Sequence, residues 1–164
     1  MSRYRPPAPP KAPYITPEGY DHLEQEMKDI WVRRRDVTAA LAAAAAEGDR
    51  SENAEYIYRK RELAGLDRRI RYLQVRMPKL NVVRRIPDDV SRVFFGARVK
   101  LEDQEGHLFE YRLVGPDEID RHENYISIDS PLAQALLKKA VQDEVVVETP
   151  RDTVSYTVLE VQYD

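Results

Sequence analysis

The sequence has no cysteine, one tryptophan, three histidines and only six glycines in 164 residues. Without cysteine there is no disulfide and no thiolate metal site, which fits a reducing cytosol without requiring one. His22, His107 and His122 are scattered, with none of the spacing of a metal-ligand set. The few glycines form no phosphate-cradling loop, and no internal repeat is present. No apolar run approaches the roughly 20 residues that span a bilayer, and the N-terminus lacks the hydrophobic core of a signal peptide. A soluble, cytoplasmic protein that does not engage membranes is expected. Proline is unevenly spread: five of the eleven fall within the first thirteen residues. Residues 1–15 therefore read as a disordered or polyproline-type tail.

What the chain does have is heptad patterning on two long arms. Tyr20, Leu23, Met27, Ile30, Arg34, Val37, Leu41 and Ala44 recur at alternating steps of three and four, an a/d seam with Arg34 its only charged member. Leu63, Leu66, Ile70, Leu73, Met77 and Leu80 repeat the spacing, and the register runs back through Arg59 to Tyr56. Thr16 followed by Pro17 starts the first helix, and Gly48 just past Glu47 stops it. The short connection requires antiparallel helices. Residues 16–83 are thus expected to form a coiled-coil hairpin whose arms extend about 45 Å at 1.5 Å per residue. The run Ala39 to Ala46, alanine apart from Leu41, keeps the helix intact and slender near the turn.

At that turn stand two acids, Asp49 and Glu52. With Asp49 as N-cap and Glu52 at N3 they would form a variant capping box. The same carboxylates are hard oxygen ligands suited to Mg²⁺, which takes one or two protein carboxylates and completes its shell with water and phosphate. On residue types alone both readings stand. If the acids bind metal, the chain carries part of an active site and the remaining ligands must come from elsewhere.

Charge is divided along the chain, although the whole is only mildly acidic at formal net −3. From Arg50 to Arg85 there are eleven basic and four acidic residues, whereas residues 86–164 carry eight bases and seventeen acids. Lys60, Arg61, Arg68, Arg69, Arg71 and Arg76 fall outside the seam and line the second arm. Such a stripe guides a nucleic-acid backbone weakly, without sequence preference and with strong salt dependence. As a bland alternative it is a solvated face with i,i+4 partners such as Glu62 and Asp67.

The run Gly48-Asp49-Arg50-Ser51-Glu52-Asn53-Ala54-Glu55-Tyr56, followed by Lys60-Arg61 and Asp67-Arg68-Arg69-Ile70-Arg71-Tyr72-Leu73, resembles the bacterial GreA/GreB transcript-cleavage factors. Its Arg50-Ser51 pair and dense basic residues are nearer the GreB branch. Val93-Phe94-Phe95-Gly96-Ala97 and the stretch Tyr125 to Lys139 look like the same family, so the resemblance covers about residues 14 to 163. It implies a transcription elongation factor, not itself an enzyme, that binds RNA polymerase and inserts its coiled coil into the secondary channel. There it stimulates the polymerase's own Mg²⁺-dependent cleavage of backtracked RNA and rescues arrested complexes. Asp49 and Glu52 match the family's tip acids and so are expected to hold a Mg²⁺ shared with the polymerase active site, not bound stably by the chain alone. Arg59, Lys60, Arg61, Arg68 and Arg69 fall in the family's basic patch for the RNA 3′ end, and Ser127, Asp129, Ser130 and Pro131 match its polymerase-docking loop. A monomer is expected. A non-cleaving channel inhibitor would dock alike, but the intact acids argue against it.

The second half reads as a compact α+β domain over residues 93–164, after a linker at 84–92 broken by Pro87. Strands are expected at residues 98–101, 107–114, 125–128, 144–147 and 153–161, with one helix capped by Ser130 and opened by Pro131. By resemblance this is the family's FKBP-like domain. That label does not carry prolyl-isomerase function, for which no pocket motif is present.

Overall fold

The computed structural model describes residues 6–48 and 52–164, and the chain divides into two compact units. One is Glu18–Leu80; the other is Asn81–Asp164 together with the segment ending at Pro17.

The first unit is the expected hairpin. Helix α1 covers Pro17–Ala46 and α2 covers Ala54–Arg76, followed by a 3-10 turn at Met77–Lys79. Cross-helix pairs Glu26 with Arg69, Arg33 with Glu62, and Ala44 with Asn53 show the antiparallel sense. Leu23, Val37, Ala44, Ile70 and Leu73 are buried in the seam, and every other seam position is at least half-buried. Burial of each large aliphatic contributes about 1.5–3 kcal/mol. Arg34, the charged seam member, donates from Nε to Asp67 Oδ1 at 2.6 Å, so its charge is matched where it crosses between the arms.

The second unit holds a five-stranded sheet of order β5-β4-β3-β7-β6. The strands are β3 (Arg98–Asp103), β4 (Leu108–Val114), β5 (Tyr125–Ser127), β6 (Glu144–Glu148) and β7 (Thr153–Gln162). All pairings are antiparallel except β4 with β5. Alternation buries Val99 and Leu101 of β3 and Val145 and Val147 of β6, the period-two signature of a half-covered sheet. Helix α3 (Pro131–Leu136) adds Ala133 and Leu136 to the same core, which also takes Val93, Ala97, Leu113 and Val158.

Sequence patterning did not anticipate a second, two-stranded sheet. Strand β1 (Tyr14–Ile15) pairs in parallel with β2 (Asn81–Val82), so residues assigned to the tail and to the second arm belong to the sheet-bearing unit. Ile15 is fully buried, and Asn81 N donates to Pro13 O and Val83 N to Ile15 O. A buried carboxylate completes this corner. Glu118 accepts from Thr16 N at 2.8 Å, from the Thr16 hydroxyl, and from Gly115 N at 3.0 Å.

Candidate functional site

The turn between the arms begins where helix α1 ends. Glu47 N donates to Ala44 O, and Gly48 takes φ +144°, a conformation that side chains other than glycine's oppose. Asp49 lies outside the described residues. Glu52 is in the turn, exposed, and makes no hydrogen bond or ion pair among the described residues.

The capping-box alternative is corrected by the structure. Helix α2 starts at Ala54, and its N-cap is Asn53, whose side-chain oxygen accepts from Tyr56 N at 3.0 Å. The other end of the same amide, Nδ2, donates to Ala44 O at 2.7 Å. One side chain therefore satisfies an orphan donor of α2 and gives the Ala44 carbonyl, in the last turn of α1, a second donor beside Glu47 N. Glu52 precedes the cap instead of sitting at N3, so its carboxylate has no capping duty. Replacing Asn53 with alanine is expected to destabilise the hairpin by about 1 kcal/mol or somewhat more. Equilibrium unfolding followed by helical circular dichroism measures this, and an unchanged midpoint would refute the two-sided clamp.

The five predicted nucleic-acid contacts do not form one class. Arg59 donates to Glu55 Oε1 at 2.8 Å and to Glu62 Oε2 at 3.0 Å. These hydrogen bonds, Glu55 first, raise the Arg59 pKa above its ordinary value. Glu62 is also bound by Arg33, whose hydrogen bond is the main cause of its carboxyl lying below the usual range, with Arg59 adding to it. Arg69 makes a two-pronged contact to Glu26 at 2.6 and 3.0 Å. Lys60, Arg61 and Arg68 are exposed and have no carboxylate partner among the described residues. A phosphate meets these three without displacing an internal acid, whereas at Arg59 and Arg69 it competes with one.

The predicted docking residues lie together between β5 and α3. Ser127 ends β5, its hydroxyl accepting from Asp129 N, and Ser130 caps α3 by accepting from Ala133 N at 3.2 Å. Pro131 is the first helical residue and is exposed. Asp129 is exposed, with Oδ2 accepting from Ala12 N at 2.9 Å, so the proline-rich segment reaches this loop. A hydrogen-bonded turn thus places an exposed carboxylate, engaged through one oxygen by Ala12 N, beside a helix start.

Among the described residues no cluster of three or more His, Cys, Asp or Glu side chains is placed to hold a metal, and no helix is long and apolar enough to cross a membrane.

The family model described as "Transcription elongation factor, GreA/GreB, C-term" matches residues 87–163, and that described as "Transcription elongation factor, N-terminal" matches residues 13–82. A relative described as transcription elongation factor GreB from Xanthomonas axonopodis pv. citri is 56% identical over 165 residues, covering 99% of this chain and 98% of that protein. One of the same description from Pseudomonas aeruginosa is 52% identical, again covering 99% and 98%. Both halves of the chain being matched, and near full-length relatives sharing over half its residues, the protein belongs to the GreA/GreB family of transcription elongation factors.

Proposed function

We propose that the chain docks on bacterial RNA polymerase through the Ser127 to Pro131 loop and inserts its helical hairpin into the secondary channel. There it stimulates the polymerase's cleavage of backtracked RNA. The observation that carries this reading is Glu52: an exposed carboxylate at the hairpin turn with no hydrogen bond or ion pair among the described residues, its neighbour Asn53 serving as the helix cap. Asp49 and Glu52 supply the oxygen donors that Mg²⁺ prefers, but two carboxylates fill only part of an octahedral shell. The remaining ligands come from the polymerase and the RNA phosphate, so the protein acts as one component of a catalytic centre and not as a free nuclease. Asp49 and Glu52 would be this chain's ligands to such an ion, which would supply charge stabilisation for the displacement at phosphorus. The acids of this chain present their oxygens to that site, while Lys60, Arg61 and Arg68 offer exposed cations to the RNA backbone. Contacts of this kind are sequence-blind, as a rescue factor acting anywhere along a gene requires.

The direct test is to add the protein, as a monomer, to a backtracked elongation complex containing Mg²⁺ and to resolve the RNA on a gel. Shortened RNA that resumes elongation is expected. Inhibition without shortening selects the channel-blocking reading instead. The docking assignment predicts that Asp129→Lys weakens polymerase binding at least about tenfold and lowers cleavage in parallel, because reversing a charge at an interface sets like charges together. Unchanged binding by that variant removes the loop from the interface.

A further inference from the structure

The two edges of the hairpin are chemically different. Counting from the seam, Glu26, Arg33, Glu62 and Arg69 occupy g positions, and Trp31, Thr38, Lys60 and Asp67 occupy e positions. In an antiparallel pair the g residues of one arm face those of the other, and the e residues do likewise. The g edge is closed by ion pairs: Arg69 with Glu26, Arg33 with Glu62, and Arg59 with both Glu55 and Glu62. An exposed tyrosine, Tyr58, lies on that side, but the guanidinium over its ring, 5.4 Å from the centroid, belongs to Arg59 and is already matched by two acids. A polyanion gains little there.

The e edge differs. Of its acids, Asp67 is engaged by Arg34 and Glu24 stands a heptad from Trp31 on the side away from the turn, while the exposed cations Lys60 and Arg35 have no carboxylate partner among the described residues. Both lie on the turn side of the chain's single tryptophan, since Arg35 follows it by one helical turn on α1 and the register sets Lys60 opposite Thr38 and Trp31 opposite Asp67. Trp31 is 44% exposed, an unusual setting for the largest apolar side chain on a helix surface. Trp31, Arg34, Arg35, Thr38, Ala39 and Ala42 line one open groove along α1. The Arg34 guanidinium stands 5.8 Å from the indole centroid but is matched by Asp67, so the unmatched charge in this groove is that of Arg35. The floor above the indole is built of small residues, leaving room for a flat partner.

We infer that Trp31 is a stacking shelf for an unpaired nucleobase of single-stranded RNA, with Arg35 and then Lys60 holding phosphates of the strand on the turn side of that base. Indole, small-residue groove and unmatched cations together are what a single strand requires: a π-face for the base and positive charge for the backbone. Duplex nucleic acid is excluded because its bases are not free to stack. Along α1, Trp31 lies 17 residues from Gly48, about 25 Å at 1.5 Å per residue. A strand whose 3′ end is near the turn reaches the indole only when several nucleotides have been extruded. This inference rests on the proposed function in taking the RNA to be the polymerase's extruded transcript.

With one tryptophan, the protein reports on itself. Titration of the free protein with a ten-nucleotide oligoadenylate at low salt is expected to quench its indole emission saturably, and raising the salt is expected to reverse the quenching. A duplex RNA of equal length leaves the emission unchanged, and Lys60→Glu weakens the apparent affinity several-fold. In backtracked complexes, Trp31→Leu is expected to lower cleavage several-fold when the RNA is extruded by many nucleotides and not when it is extruded by one or two. Because residue 31 is exposed and leucine is a good helix former, an unchanged melting temperature checks that this variant is folded. Equal quenching by single strand and duplex overturns the inference. So does the absence of quenching by oligoadenylate, or a Trp31→Leu effect independent of backtracking depth. Failure of the wild-type protein to shorten RNA overturns the proposed function instead, a result separable from the fluorescence readout, which involves no polymerase.

Discussion

Exchanging Glu52 for alanine, or Asp49 for alanine, is expected to reduce cleavage of backtracked RNA at least about 100-fold, while affinity for the polymerase stays within a few fold. The size follows from the role: altering even the outer partners of a metal site costs about 10–100-fold in activity, and a direct ligand costs no less. The separation of the two readouts also follows from the sequence, because the acids and the predicted docking loop belong to different units of the chain, Glu18–Leu80 and Asn81–Asp164. Stability should barely change, since Glu52 is exposed and makes no internal hydrogen bond among the described residues. A competition assay for polymerase binding and a gel of the cleaved RNA settle the matter side by side. Cleavage that survives in both variants would sink the metal role.

The largest structural effect is expected at Gly115. This residue is buried, and a Cβ added there would stand 2.0 Å from Tyr14 O, 3.1 Å from the same carbonyl carbon and 3.2 Å from Glu118 Oε2. The first two are backbone atoms of β1 and cannot swing aside. In Gly115→Ala the strand must move, and with it the hydrogen bonds from Thr16 N and Gly115 N to Glu118 and the pairing of β1 with β2. Overpacking costs about 1–3 kcal/mol, and each buried donor left unpaired costs about as much again. The expected loss is roughly 4 kcal/mol. Because the chain has two units, one global midpoint is a poor gauge, and amide exchange is the better measurement. The Asn81 and Val83 amides, which donate to Pro13 O and Ile15 O, should lose protection while those of β3 and β7 keep theirs. Full protection at Asn81 would mean that the strand tolerates the extra carbon.

Much of this was legible in the chain because the signals are long. The seam from Tyr20 to Leu80 specifies register over many heptads, and the observed burial of Leu23, Val37, Ile70 and Leu73 follows it. The five strands of the main sheet likewise announce themselves by alternation and turn residues. Strands β1 and β2 do not, because two residues contain no period to detect and their pairing joins positions 67 residues apart, Tyr14 with Asn81. Nothing near Glu118 distinguishes it from neighbouring surface acids, yet it is buried and binds Thr16, 102 residues earlier in the chain. The helix start was misplaced for another reason. Asp49 and Asn53 are both strong N-cap residues, and only Asn53 carries a donor as well as an acceptor, so only it bridges to Ala44. The pairing of Arg59 with Glu55 and Glu62 could be read from i−4 and i+3 spacing, whereas that of Arg69 with Glu26 depends on how the arms are staggered.

The two-sided bond of Asn53 leaves the turn, the proposed working end, separable from its shank. With both helix ends fastened by one amide, substitutions among residues 49–52 are expected to leave the arms beneath them folded. Under the proposed function, natural variation could therefore retune or silence the cleavage while the arms stay intact, and an engineer could exchange that end as a cartridge.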